Sequence, residues 1–207
     1  MYLPKHFQID DPQILAAFIK EYPLATVIGI LDGNNEINHI PLMLSADQTR
    51  LFGHVAKSNP LLHMASEVDR TLNAVFHGPN AYVTPSWYPS KPVSGKVVPT
   101  WNYAVVHAKG DLNIIEDANW LRQHVSEMTN IHEPTYQSNW KLEDAPEEYV
   151  QMMLKAIVGI EIKISSLVGK FKLSQNRPAE DYAGVVNKLS QSPEEKLQDM
   201  LKWMSKP

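Results

Sequence analysis

The sequence predicts an α+β fold in which an antiparallel sheet forms a barrel or curls strongly, with helices at the N-terminus and in the second half. About six or seven apolar runs of strand length are mostly joined by short turns, which is typical of antiparallel pairing. No G-x-G-x-x-G follows a predicted strand, and no G-x-x-x-x-G-K-[ST] is present. The two commonest phosphate-binding loops of doubly wound folds are therefore missing.

In the first half, Pro12 fits the first turn of a helix over residues 10–22, whose Ile14, Leu15, Phe18 and Ile19 form one apolar stripe. The DGNN tetrapeptide of residues 32–35 predicts a hairpin turn, because Gly and Asn tolerate positive φ. A short helix is expected after Asn59, and a turn at residues 78–80. The predicted strands cover residues 24–31, 36–44, 50–54, 71–77 and 81–83.

In the second half, residues 84–99 contain four prolines and predict a long loop, a class that is usually functional or disordered. Helices are predicted from Asp117, from Asp144 with Tyr149, Met152 and Met153 facing inward, and from a capping box at residues 192–195 to about Met204. Strands are predicted over residues 103–115, 158–164 and 170–173.

Composition excludes several classes of protein. The 207 residues carry a net charge of −4, which is not the basic footprint of a protein that binds nucleic acid over a broad face. Without cysteine there is no disulfide, thiolate zinc site or cysteine nucleophile. The eight histidines lack metal-site spacing, so we predict no metal. With no signal-peptide pattern and no apolar run of about 20 residues, we expect a cytoplasmic protein without a membrane span.

Polar residues gather at the ends of several predicted strands. In GHVAKSNP, Lys57, Ser58 and Asn59 offer a cation, a hydroxyl and an amide beside a helix start, which indicates an anion site. The alternative is that Ser58 or Asn59 only caps the helix and Lys57 is solvated. In KLSQNRP, Arg177 can pair with a phosphate or carboxylate, or form an ordinary surface salt bridge.

Aromatic residues accompany two further polar segments, HGPNAYVTPSWY and PTWNY. Trp87, Tyr88, Trp101 and Tyr103 can form the walls of a planar-ligand site. Packing in the core or at a dimer interface is the competing interpretation, because aromatic residues are enriched in both places.

Taken in order, MYLPKHF, GHVAKSNP, HGPNAYVTPSWY, VPTWNY, IVGIEI and GKFKLSQNRP closely resemble the PaiB family. Its members are FMN-binding proteins described as negative transcriptional regulators of protease synthesis and sporulation. The resemblance covers about residues 1–190. It implies an FMN-binding split β-barrel, like that of pyridoxamine-phosphate oxidase, and a homodimer with FMN at the subunit interface.

The resemblance also implies the residues of the flavin site. Lys57 and Arg177 suit the phosphate, and Thr100, Asn102 and Gln175 suit the ring edge or ribityl chain. We expect a split-barrel domain over residues 1–175 and a C-terminal helical extension over 176–207, packed on the barrel or on the dimer partner. The expected FMN contacts are His54, Val55, Ala56, Lys57, Ser58, Asn59, Ser86, Trp87, Thr100, Trp101, Asn102, Gln175, Asn176 and Arg177.

Two functions remain open at this point, a flavin-dependent regulator and an FMN-dependent oxidoreductase that uses NAD(P)H. For an enzyme, the candidate proton donors are Tyr88, Tyr103 and His107. Direct, tight binding of duplex DNA is not expected, because the C-terminal helices mix both signs of charge. The loop of residues 84–99 is a candidate lid over the flavin ring.

Overall fold

The computed structural model describes residues 1–205, and it confirms an α+β fold with an antiparallel sheet. Within these residues the sheet has eight strands, in the order β3-β2-β6-β7-β8-β5-β4, with β1 paired to β8. The strands β1 to β8 span Gln8–Ile9, Leu24–Leu31, Asn34–Pro41, Met43–Leu44, Arg50–Ala56, Thr71–Val83, Thr100–Ile115 and Ile157–Lys172.

Six α-helices accompany the strands in the described part of the chain. Helices α1 to α6 span Pro12–Glu21, Lys91–Ser94, Ala118–His132, Glu147–Lys155, Ala179–Ser190 and Glu195–Met204. Short 3-10 helices span Lys5–Phe7, Pro60–Ser66, Pro85–Trp87, Glu133–Tyr136 and Leu142–Asp144. Among residues 1–205, no helix has both the length and the apolar character needed to cross a membrane.

The chain forms two compact units. Unit 1 comprises Met1–Phe18, His77–Val106 and the described chain from Val168 onward. Its core contains the rings of Phe18, Phe171 and Trp203, with pairwise centroid distances of 5.0–5.3 Å. Helix α6 therefore contributes a fully buried tryptophan to the core of unit 1. The domain boundary expected after residue 175 stays a prediction.

Unit 2 comprises Ile19–Phe76 and His107–Leu167. In it, β5 pairs with β8 over seven residues, from Arg50 opposite Lys163 to Ala56 opposite Ile157. Strand β2 pairs with β3 from Leu24 opposite Pro41 onward, and the predicted hairpin turn between them is confirmed. Helices α3 and α4 share an apolar cluster, in which Leu121, Leu142, Val150 and Leu154 are buried.

Two predicted interruptions of strands are wrong. Strand β6 runs through residues 78–80, where a turn was expected, and β8 is continuous between residues 164 and 170. A Cβ at Gly78 would lie 2.5 Å from the ring of Phe18, and one at Gly169 would lie 2.9 Å from Leu15. These glycines allow α1 to pack closely on the strands within unit 1, and they do not mark turns.

Two helix predictions also need correction. Tyr149, Met152 and Met153 are about half exposed, and the inward residues of α4 are instead Val150 and Leu154, because these two pack against Leu121 of α3 in one apolar cluster. The capping box at Ser192 is absent: α6 begins at Glu195, and Glu194 at its N-cap makes no side-chain cap. The Ser192 hydroxyl instead accepts a hydrogen bond from the backbone N–H of Glu194.

The proline-rich loop is held to helix α5 along its first half. Asp181 is 2% exposed, and its carboxylate accepts hydrogen bonds from the backbone N–H of Ser90 at 3.1 Å and from its hydroxyl at 2.8 Å. A Cβ at Gly184 would clash with the carbonyl oxygen of Trp87. Val93 and Val98, farther along, are 87% and 64% exposed. Only the part of the loop after Ser90 therefore remains a candidate lid.

Candidate functional site

Residues at the end of β5 lie beside a cleft in unit 2. The cleft has a volume of about 430 Å³ and is lined by Lys57, by residues at the start of β8 and the end of β7, and by parts of α3 and α4. The backbone N–H of Lys57 donates to the carbonyl oxygen of Ala156, which fixes the chain where β5 and β8 separate. The side chain of Lys57 therefore leaves the sheet at the mouth of the cleft.

The cleft carries more positive than negative charge. Three of its lining residues are cations, Lys57, Arg122 and Lys155, and Glu116 is the one acid among them. Both terminal nitrogens of Arg122 donate to the carboxylate of Glu147 at 3.0 Å. The positive charge of Arg122 is therefore already paired with a negative charge. Lys57 and Lys155 form no ion pair within residues 1–205. Their charges suit a doubly charged anion such as a phosphate monoester.

The other residues of the GHVAKSNP segment have different surroundings. Val55 is 6% exposed and faces the core, and Ala56 and Ser58 are exposed. Asn59 accepts a hydrogen bond from the N–H of Leu61 and donates to the amide oxygen of Asn38 at 2.7 Å. The helix-cap interpretation is therefore confirmed for Asn59, whose amide is used inside the protein.

His54 belongs to a ring cluster that sequence reasoning missed. The imidazole of His124, on α3, stacks on Trp120 at 4.9 Å and meets the ring of His54 edge-on at 5.4 Å. His124 is 4% exposed, and burial together with the His54 charge lowers its pKa from 6.5 to about 4. Burial also lowers the pKa of His54. The i, i+4 spacing of Trp120 and His124 on a predicted helix was the available signal.

In unit 1, the sequence Thr100-Trp101-Asn102 begins strand β7, and its side chains diverge. Asn102 is fully buried, and its amide oxygen accepts a hydrogen bond from the hydroxyl of Ser174 at 2.9 Å. Trp101 is 53% exposed and lies edge-on to the exposed ring of Tyr82, with centroids 5.9 Å apart. Trp101 and Tyr82 therefore present aromatic surface to solvent, and Asn102 joins two segments inside the unit.

A cluster of cations lies next to Thr100. The ammonium of Lys172 donates to the hydroxyl of Thr100 and, at 2.6 Å, to the carbonyl of Trp101. Burial lowers the pKa of Lys172, and the charges of Arg177 and Lys170 lower it further. Sequence reasoning missed both lysines. Their i, i+2 spacing at the end of a strand, in GKFK, places them on one face and was the signal.

The residues after β8 form a tight turn in unit 1. The amide of Gln175 accepts from the N–H of Leu173 at 2.7 Å and donates to the carbonyl oxygens of Phe171 and His6. Asn176 is exposed. The guanidinium of Arg177 lies 4.9 Å from the ring centre of Tyr88, a cation–π contact.

The remaining expected contacts are Ser86 and Trp87. Ser86 is exposed in the 3-10 helix that follows β6, and Trp87 is half-buried. Tyr88, a candidate proton donor, is 2% exposed; burial raises its pKa, and the charge of Arg177 opposes that rise.

The structure thus places His54–Asn59 in unit 2 and the other expected FMN contacts in unit 1. Within unit 1 it brings Thr100 and Trp101 together through Lys172, and it places Arg177 on Tyr88. The assignment of these residues to FMN stays a prediction. In residues 1–205 no three His, Asp or Glu side chains form a group that could hold a metal ion.

Comparison with known proteins supports this interpretation of the motifs. A family model described as "Putative FMN-binding domain" matches residues 1–166. Protease synthase and sporulation protein PAI 2 of Bacillus subtilis is 30% identical over 99% of this chain and 96% of its own length. An uncharacterized protein of Emericella nidulans is 36% identical over 90% of this chain and 89% of its own.

A solved structure extends the likeness to the fold. The flavocytochrome Anf3 from Azotobacter vinelandii superimposes with a TM-score of 0.61 at 13% identity, covering 88% of this chain and 78% of that one. The fold is thus that of the split-barrel flavoproteins, as predicted. The chain belongs to the FMN-binding family that its residues 1–166 match, and the predicted resemblance to PaiB is confirmed. Membership of this family assigns FMN as the cofactor.

The buried pair of imidazoles predicts an acid-sensitive fold. The unfolded chain binds a proton at His124 near pH 6.5, but the folded chain binds it only near pH 4. Between these values the unfolded state holds more protons, so the free energy of unfolding falls as the pH falls. The loss attributable to His124 is on the order of 3 kcal/mol. Denaturant titrations at a series of pH values measure it.

In the same titrations, His124→Phe keeps a stacking ring but removes the titrating group. We expect a shallower decline in stability between pH 6.5 and pH 4 for this variant. His63→Gln, at an exposed position, is the matched control and should follow the wild-type curve. Parallel curves for His124→Phe and the wild type would contradict the assignment.

Proposed function

We propose that this protein is a cytoplasmic, homodimeric regulator that binds FMN and represses transcription of protease- and sporulation-type genes in response to the state of the flavin or of a ligand. The observation that carries the proposal is the 30% identity to protein PAI 2, which extends over nearly the whole of both chains. A relationship of this length includes the C-terminal helices as well as the FMN-binding region.

The cleft beside Lys57 fits the phosphate end of FMN. The phosphate carries about −1.5 to −2 charges at neutral pH and accepts hydrogen bonds at three oxygens. Lys57 and Lys155 supply two cations that no carboxylate neutralises within residues 1–205, and Asn119 and Gln151 supply amide donors. We assign the phosphate to this cleft and Lys57 to its charge.

Unit 1 offers groups that suit the flavin ring. The exposed faces of Trp101 and Tyr82 provide aromatic contact area, and Lys172 places a cation beside them. A positive charge near the N1 edge of a flavin favours the reduced form, which carries negative charge there. When bound, FMN supplies hydride or single-electron transfer, and Trp101, Tyr82 and Lys172 are the groups of unit 1 that suit a flavin ring.

An exposed apolar sheet face supports the proposed dimer. Ile37 on β3 is opposite Ile28 on β2. Leu24 and Ile30 lie on the same face of β2 as Ile28, four residues before it and two residues after it. Leu24, Ile30 and Ile37 are 58%, 62% and 56% exposed. Three large aliphatic side chains on one face of a sheet favour burial against another protein surface. We propose that a second copy of this chain covers them.

The charges of the C-terminal helices favour a regulator that does not bind duplex DNA tightly. Cations and acids alternate along α5 and α6, and Lys196 forms an ion pair with Glu194 at 3.1 Å. The basic residues are Lys188, Lys196 and Lys202, and the acidic ones at the surface are Glu180, Glu194, Glu195 and Asp199, whereas Asp181 is buried. Such a surface lacks the basic stripe that phosphate contacts require. A strongly salt-dependent shift of promoter DNA by the purified protein would argue against this part of the proposal.

The first test is FMN binding by the purified protein, followed by visible absorption before and after addition of FMN. Lys57→Ala should weaken binding by roughly tenfold or more, since a charged hydrogen bond contributes about 1.5–3 kcal/mol. Lys163→Ala, at an exposed lysine of β8 outside the cleft, is the matched control. Equal affinities of the two variants would remove Lys57 from the phosphate site.

The dimer is tested by sedimentation. Ile37→Lys places a charge in the apolar sheet face and should shift the protein from dimer to monomer at micromolar concentration. Val68→Lys changes a fully exposed apolar residue that lies outside that face, and it should sediment like the wild type. A monomeric wild type, or a dimer that tolerates Ile37→Lys, would show that this face is not the interface.

Regulation and catalysis are separated by two measurements on the same variants. Deletion of the gene in its host should raise transcripts of protease- and sporulation-type genes, and the wild type but not Lys57→Ala should restore repression. The FMN-loaded protein should show no turnover of NAD(P)H across a broad panel of acceptors. Steady oxidation of NAD(P)H with unchanged transcripts would instead establish the FMN-dependent oxidoreductase.

A further inference from the structure

A second cavity in unit 2 has a chemistry opposite to that of the Lys57 cleft. It has a volume of about 400 Å³ and lies among β4, the start of β5 and helix α3. Its walls are mainly apolar, from Met43, Leu44, Ala46, Phe52, Trp120 and Ile131. This volume is within the range of small-molecule sites and is more than ten times that of a water molecule.

One wall of the cavity carries a buried polar atom without a partner. His124 lines the cavity and is 4% exposed, and its Nε2 makes no hydrogen bond within residues 1–205. Leaving such a group unsatisfied is unfavourable, and buried polar atoms of this kind call for an explanation. The stack on Trp120 holds the imidazole plane in place. The ring therefore leaves an unsatisfied hydrogen-bonding group at the wall of the cavity.

The charge of the lining restricts which molecules fit. Glu127, one turn after His124 on α3, is the acidic residue of the lining, and within residues 1–205 no Lys or Arg lines the cavity. A carboxylate accepts hydrogen bonds only, and it repels anions. The cavity has no group to neutralise a phosphate, so it is unsuited to the charged end of FMN.

We propose that this cavity is a second ligand site, separate from the flavin site, for a small aromatic molecule that is neutral or cationic and carries a hydrogen-bond donor. The aromatic ring of the ligand packs against Phe52 and Trp120. Its donor group is accepted by Nε2 of His124 and by the carboxylate of Glu127. If the flavin proposal is correct, a regulator of this kind carries two small-molecule sites of opposite charge preference.

The test uses the FMN-loaded protein and three probes of one size: benzylamine, benzyl alcohol and benzoate. Binding is followed by NMR from the indole N–H of Trp120 and the imidazole of His124. We expect benzylamine and benzyl alcohol to shift these signals in a saturable way, and benzoate to bind at least tenfold more weakly. No saturable shift with either donor probe, or benzoate binding as tightly as benzylamine, would overturn the proposal.

Two variants separate the contributions of the polar groups. His124→Phe preserves a stacking ring and should weaken benzyl alcohol by about threefold to tenfold through loss of one hydrogen bond. Glu127→Gln should weaken benzylamine but change the affinity for benzyl alcohol by less than about threefold. Affinities unchanged in both variants would place the probes elsewhere and overturn the assignment.

Titration with FMN distinguishes the two sites. Benzylamine should bind with the same affinity in the presence and absence of FMN, because the cavity has no group for the phosphate. Direct competition between FMN and benzylamine would show that the cavity belongs to the flavin site. If FMN fails to bind at all, the flavin proposal fails, but saturable benzylamine binding at Trp120 still supports a ligand site here.

Discussion

The register of β5 against β8 is the constraint on which the sites of unit 2 depend. It places His54 opposite Gly159. A Cβ at Gly159 would clash with the ring of Trp120, so glycine at this position lets helix α3 lie directly on the sheet. Trp120 then stacks on His124 and closes the ring cluster over His54. A shift of one residue would turn every side chain of β5 to the opposite face and remove the cluster.

The same ladder determines where the chain leaves the sheet. The ladder between β5 and β8 ends with Ala56 opposite Ile157. One further hydrogen bond, from the backbone N–H of Lys57 to the carbonyl oxygen of Ala156, follows the last pair. Lys57 is therefore held at a rigid position, where its charge can act on a bound anion. The amide of Asn59 is used to cap the following 3-10 helix, so segment GHVAKSNP combines a structural residue and a candidate ligand within three positions.

The sequence allowed prediction of the antiparallel sheet, most strand positions and the motif order that identifies the family, because these depend on local periodicity and on contiguous residues. It did not reveal what each glycine does. Gly78 occurs in the sequence Gly-Pro-Asn, which is typical of a turn, yet here it provides space for Phe18. That space depends on a helix distant in sequence. The inward face of α4 was misplaced because packing against Leu121 of α3 decides which face is buried, and the sequence of α4 alone does not reveal that contact.

For the candidate site, the residue types indicated which side chains could bind a ligand, but they did not predict the direction in which each side chain points. Asn102 was expected at the flavin because it is polar and precedes a strand, but its amide is buried against Ser174 in unit 1. Lys172, three residues before the predicted QNR segment, lies beside Thr100 and was missed. The alternation of β-strand side chains determines which polar residue faces solvent. That alternation can be applied only when the start of the strand is known, and β7 begins three residues earlier than predicted.

Helix α3 links the two cavities of unit 2 because it contributes to the lining of both. Its Asn119 and Arg122 lie at the cationic cleft, and His124 and Glu127 lie at the apolar cavity. Because the coupling of two binding free energies is reciprocal, an equal affinity for benzylamine with and without FMN means that benzylamine also leaves the affinity for FMN unchanged. Helix α3 therefore serves two cavities of opposite charge preference, and the close fit of Trp120 over Gly159 holds the helix on the sheet between them.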